Sequence, residues 1–175
     1  MDVAKKNVAV LAVCQGLLLV NNTVLITVNA LVGFALAPNK ALATLAVTMY
    51  FVGSALTTIP LSFMMKRYRR RAGFTLGAAF AVIGSLICAA AVYAQNFWLL
   101  CGGAIVFGAY NGFGQYYRFA AADVAAPDFK PTAISLVLAG GLVGGILGPT
   151  TSRVTVALLE PKFLAAYLAL IVFAL

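Results

Sequence analysis

The sequence has no histidine and only four acidic residues in a chain of 175. The first absence removes the commonest metal ligand and the side chain that most readily exchanges protons near neutral pH. The second leaves charge as a whole at 9% of residues, where a soluble domain carries roughly a quarter. Cysteine is also scarce. Cys14, Cys88 and Cys101 each sit inside an apolar run and none belongs to a C-x-x-C pair, so neither a disulfide framework nor a zinc site is indicated. The strict apolar/polar alternation of a membrane β-barrel strand is missing as well.

What is present is hydrocarbon-compatible. Apolar residues make up 63% of the chain and the mean hydropathy is +1.03, so it cannot clothe itself in a polar surface. The expectation is an all-α integral membrane protein whose first partner is the lipid bilayer. A net charge of +8 would point to nucleic acid in a soluble protein. Here it is expected of cytoplasmic loops obeying the positive-inside rule, and no nucleic-acid partner is inferred.

A helical span needs about 20 apolar residues. Five such runs are present, over about 8–37, 41–65, 72–94, 97–122 and 132–159, with a shorter sixth over 163–175. The sixth, with 13 residues, would reach only about 20 Å as a helix and reads as an incomplete span. Lys5 and Lys6 before the first run resemble the start of a signal peptide. That run continues far beyond the usual length of such a segment, and it reads as an uncleaved first span.

The polar residues inside these runs carry the functional information, because an amide or charge in hydrocarbon is costly unless paired or wet. Gln15, Asn22 and Asn29 recur every seven residues of the first run, each step drifting only about 20° around a helix. They form one stripe, widened by Asn21, Thr23 and Thr27. In the fourth run Asn111, Gln115 and Arg118 share a face. Two readings stand for each set. The amides are either interhelical glue or ligands of a substrate; Arg118 is either an interfacial anchor whose head snorkels to water or a planar donor fork for a carboxylate, phosphate or similar acceptor. Tyr110, Tyr116 and Tyr117 either frame that ligand or belong to an aromatic belt. In the fifth run Gly140, Gly144 and Gly148 form small-xxx-small steps that admit a neighbouring backbone, and Pro149 removes a backbone donor there.

Membrane enzymes gather acids or histidines at one interface for acid/base or metal chemistry. This chain offers Asp123 and Asp128 there, so enzyme activity is not expected, nor a cofactor. Cys14, Met49, Cys88 and Cys101 are candidate soft metal ligands, but with no Met-x-x-x-Met pair and buried thiols usually serving packing, no metal is expected.

At this point the chain resembles the amino-terminal half of a major facilitator superfamily transporter. Ser62-Phe63-Met64-Met65-Lys66-Arg67-Tyr68-Arg69-Arg70-Arg71 falls where that family has G-x-L-x-D-R-x-G-R-R; Arg67, Arg70 and Arg71 match, while Lys66 replaces the aspartate. Gly144-Gly145-Ile146-Leu147-Gly148-Pro149 fits a G-x-x-x-G-P pattern, and Gly114 to Asp123 is similar to proteobacterial members. The resemblance implies a six-helix amino-terminal bundle, its last helix truncated here. It implies alternating access for a small polar solute held against a second six-helix half, supplied by the same full-length chain or another copy. Gln15, Asn22, Asn29, Asn111, Gln115 and Arg118 would then bind the solute, and Asp123 paired with Arg67 or Arg70 would gate its inner side. The competing expectation is a non-transport membrane subunit or an inactive truncated product.

Orientation follows from charge. With the amino terminus inside, nine basic residues face the cytoplasm and three, Lys40, Arg153 and Lys162, face outward, as expected of a bacterial inner-membrane protein. Reporter fusions after Arg71 and Lys130 should therefore register cytoplasm, and fusions after Lys40 and Asn96 periplasm; the reverse pattern would overturn the orientation.

Overall fold

A computed structural model describes residues 3–67, 70–156 and 162–174, with side chains described for 4–64, 72–156 and 162–174. Every regular element among them is helical: α1 Val3–Leu36, α2 Leu45–Arg67, α3 Arg70–Tyr93, α4 Phe97–Gly114, α5 Tyr117–Val124, α6 Lys130–Val156 and α7 Leu164–Ala174, with 3-10 turns at Lys40–Leu42 and Pro127–Phe129. The cause is the solvent. Where water cannot satisfy backbone N–H and C=O groups, a helix closes them within its own segment. Five stretches are long and apolar enough to cross a membrane, the fourth being Phe97–Val124, which joins α4 and α5. The 11 residues of α7 reach about 16 Å at 1.5 Å per residue.

The fourth run, expected as one helix over 97–122, is broken. Gln115 and Tyr116 form a turn in which the Gln115 N–H reaches back to the Asn111 carbonyl at 3.2 Å and the Tyr116 N–H to Phe113 at 3.1 Å. The second bond spans three residues, a 3-10 tightening, and it follows Gly112 and Gly114, which hold a helix less firmly than alanine. α5 then resumes from Tyr117.

The connections are short and capped. After α3, Gln95 takes a left-handed conformation with φ of 50°. Its N–H bonds the Val92 carbonyl at 3.3 Å, and the Asn96 N–H bonds Ala91 at 2.9 Å, the paired bonds of a Schellman ending. The Asn96 side chain then accepts from the N–H groups of Trp98 and Leu99 and so opens α4. Two residues thus end one helix and start the next, turning α3 and α4 into a tight hairpin. At the other loop, Lys40 Nζ caps α1 by donating to the Phe34 carbonyl at 2.6 Å.

The principal helix pairs are α1 with α6, α3 with α4, and α2 with α4. Glycine makes each of them close. A Cβ on Gly140 would collide with the Ala12 backbone, one on Gly144 with the Gly16 carbonyl, and one on Gly148 with Thr23. On α2 and α4, Gly53 lies against the Ile105 carbonyl and Gly108 against the Tyr50 carbonyl; on α3, Gly84 abuts the Phe107 backbone. Pro149 sits on the exposed side of α6. The main core collects Leu18, Leu25, Val28, Tyr50, Cys88, Leu100, Phe107 and Tyr167. A smaller cluster of Val8, Ala121, Ala125, Ala133 and Val137 ties the starts of α1 and α6 to α5, placing Lys5, Lys6 and Lys130 at one end of the bundle.

Gly144 and Gly145 provide a matched pair of substitutions. Nothing lies within 4 Å of a Cβ at Gly145, whereas one at Gly144 forces α1 and α6 apart. Gly144→Ala should cost about 1–3 kcal/mol, as overpacking does, and Gly145→Ala should be neutral or mildly stabilising, read as melting temperature of the purified protein.

Candidate functional site

One face of the bundle carries a continuous chain of polar side chains. From mid-α1, Asn22 Nδ2 donates to Asn111 Oδ1 on α4 at 2.8 Å. Asn111 Nδ2 donates to Ser54 Oγ on α2 at 2.9 Å. The Asn111 oxygen also receives Gln115 Nε2 at 3.5 Å, and Gln115 Oε1 accepts from Arg118 Nη2 on α5 at 3.1 Å. Three transmembrane segments are thereby joined. Interhelical bonds of this kind contribute about 0.6 kcal/mol each on average, so their weight is in orientation more than in stability.

The chain is not saturated. Asn22 Oδ1 and Arg118 Nε are buried without a hydrogen-bond partner. Such orphan groups are uncommon and each calls for an explanation; Asn29 Nδ2 and Ser85 Oγ are in the same position. Arg118 is half-buried, with its guanidinium carbon 5.4 Å from the Phe119 ring centre.

The remaining residues of the expected site go elsewhere. Asn29 has no exposed surface; its Oδ1 accepts from the Tyr167 hydroxyl of α7 at 2.6 Å, closing it into the core. Gln15 is buried and packs on α6, its Cγ 3.1 Å from where a Cβ of Gly141 would stand. Asn21, which widens the α1 stripe, is fully buried and lies against the Tyr110 side chain. Tyr110 is buried edge-on to Phe107, with ring centres 5.6 Å apart, and Tyr117 leans on Phe74 at 4.7 Å. Asp123 lines a groove of about 390 Å³ with Asn7, Cys14 and Phe74 at the end of the bundle where α1 and α3 begin. Among the described residues no three His, Cys, Asp or Glu side chains gather as a metal site would require.

Residues 11–175 match the family description Major Facilitator Superfamily. The chain belongs to the Major Facilitator Superfamily. It is accordingly a multi-pass membrane protein, and its similarity to other superfamily members extends over most of its length. The riboflavin transporter RfnT of Brucella anthropi is 39% identical over 146 residues, covering 83% of this chain and 37% of that protein. The uncharacterized MFS-type transporters YdeG and YddS of Bacillus subtilis are both 26% identical, over 129 and 124 residues, covering 74% and 71% of this chain and 30% and 28% of theirs. The chain thus spans roughly a third of the length of the curated relatives it matches. Of the basic loop that carries the superfamily resemblance, Arg67 and Arg70 end α2 and begin α3; their side chains lie outside the described residues.

Two participants were not singled out from the sequence: Ser54, which receives the Asn111 amide, and Tyr167, which pairs Asn29. Each is the kind of isolated hydroxyl that apolar helices commonly carry, and only the partner reveals its part. Tyr167→Phe should expose the second pairing, because Asn29 would then be buried with neither amide atom bonded. A loss of about 1–3 kcal/mol is expected, read as the melting temperature against Tyr93→Phe on the exposed end of α3, which should be neutral.

Proposed function

We propose that this chain forms the amino-terminal half of an alternating-access transporter of the bacterial inner membrane, with its amino terminus in the cytoplasm, moving a small polar solute held between this half and a second six-helix half. The observation that carries the reading is the Asn22–Asn111–Gln115–Arg118 chain with its unpaired acceptor and donor. Asn29 and Tyr167 form a single pair inside the core, whereas this set joins three transmembrane segments and ends on a cation. Ser54 belongs with it through Asn111.

The family supports transport as the activity, and the similarity to a riboflavin transporter names the first solute to try. Riboflavin suits such a site chemically, because its ring carries an imide N–H between two carbonyls and its side chain is rich in hydroxyls. Arg118 and the amides would bind the solute, Gln15 and Asn29 would hold α1 in register, and Asp123 with Arg67 or Arg70 would bias the inward-closed state. A pair at a wet interface contributes about 0–1 kcal/mol to stability, so its effect belongs to the balance between states.

The test is uptake of labelled riboflavin by vesicles bearing the whole transporter. Asn22→Ala and Arg118→Ala should lower transport by at least about 10-fold with membrane abundance unchanged, the loss expected when a hydrogen bond to a charged or buried group goes. Cys88→Ala, in the core away from the chain, should stay within about 2-fold, as small core truncations that fold leave a remote site intact. Full activity in Arg118→Ala would remove the site assignment.

A further inference from the structure

The amide chain has a direction, and one residue sets it. Asn and Gln side chains fit a given space either way round, oxygen and nitrogen exchanging by a half-turn. A guanidinium has only donors. Arg118 Nη2 lies 3.1 Å from the Gln115 amide, so the atom that faces it has to be the oxygen. That turns Gln115 Nε2 toward Asn111, where the facing atom is again the oxygen, at 3.5 Å, the longest link. The same oxygen meets the Asn22 amide at 2.8 Å, which must therefore present nitrogen. Asn111 Nδ2 is left for Ser54 Oγ at 2.9 Å, and a hydroxyl can donate or accept, so it imposes nothing. Followed to its ends, the chain stops on α1 at Asn22 Oδ1, an unpaired acceptor on a side chain only 8% exposed, and on α5 at Arg118 Nε, an unpaired donor. Asn22 stands level with Asn111, and Arg118 lies seven residues further along, past the turn at Gln115 and Tyr116.

We infer that Arg118 polarises the whole chain, so that the site offers an acceptor at Asn22 and a donor at Arg118 and selects solutes carrying an N–H or O–H group at one end and a carbonyl or anionic oxygen at the other. Ser54 acts through Asn111 as a positioning residue. A solute whose donor is blocked leaves Asn22 Oδ1 buried and unmet, and sites built on hydrogen bonds reject such analogues far more strongly than apolar pockets do. The inference rests on the transport reading for its substrate, but the polarity itself is a property of the protein alone.

The experiment therefore has two arms, both on the whole transporter. The first needs no solute. Aspartate in place of asparagine keeps the acceptor and removes the donor. Both variants bear the cost of a carboxylate within a span, but position 111 uses its oxygen twice and its donor only toward a hydroxyl that can turn, so Asn111→Asp should melt at least about 5 °C above Asn22→Asp, which sets oxygen against oxygen. In an Arg118→Met background the amides are free to turn and the gap should close. Equal losses in the two variants, or a gap that survives without Arg118, would overturn the polarity.

The second arm compares competition with labelled riboflavin uptake by riboflavin, its 3-methyl derivative and its ribityl O-methyl derivative. One of the two methylated forms should compete at least about 10-fold less well, and Arg118→Met should compress that ratio to below about 3-fold. If both compete as well as riboflavin, the acceptor at Asn22 is not read and the selectivity is overturned. If riboflavin is not transported at all, the choice of solute in the transport reading fails, and the melting arm alone decides the polarity.

Discussion

Hydrocarbon supplies no hydrogen bonds, so each polar group carried into the membrane has to meet its partner on the protein. For the backbone the answer is the helix, and every regular element among the described residues is one. For side chains the answer depends on where the amide points. Asn29 meets the Tyr167 hydroxyl and vanishes into the core. Asn22, two turns away on the same helix, instead enters a chain of amides that ends in a cation. One helix thus contributes both a structural clasp and a wall of the candidate site.

That wall depends on how closely the helices approach. α4 lies between α2 and α3, with Gly108 against the Tyr50 carbonyl and Phe107 against Gly84. Ser54 sits one turn beyond Tyr50 on α2, and Asn111 lies three residues beyond Gly108 on α4. The glycine contact therefore sets the register in which hydroxyl and amide meet. Any side chain at Gly108 would move the backbones apart and stretch a bond of 2.9 Å that depends on both. Likewise the crossing of α1 over α6 at Gly16, Gly140 and Gly144 holds the helix from which Asn22 projects. Packing and the placement of the polar chain are thus one problem in this bundle, because the residues that allow contact also position the amides.

Much of this was readable in the sequence. Length and apolarity of the runs yield the helices, since a span has to be long enough to cross and cannot expose backbone. The four-and-three spacing of Asn111, Gln115 and Arg118 predicts a shared face, and the structure joins all three. The stripe of Gln15, Asn22 and Asn29 shows where such reasoning stops. The drift between Asn22 and Asn29 is only about 20°, and what separates them is their height along α1, where Asn22 meets α4 and Asn29 meets α7. Ser54 carried no signal because hydroxyls in apolar helices usually bond their own backbone, as Thr58 does to the Ser54 carbonyl at 2.7 Å. The break at Gln115 and Tyr116 was invisible because it leaves hydrophobicity and polar spacing undisturbed.

The pairing of Asn29 with Tyr167 also sets an order of events during synthesis. The two residues are 138 positions apart, and at about 5–20 residues per second the ribosome needs roughly 7–28 s to pass from one to the other. Until that interval ends, α1 carries an amide whose partner has not been made. The hydrophobic residues around it must therefore be sufficient to keep the segment inserted unaided, and quality control meets this chain first as a helix with an unanswered polar group.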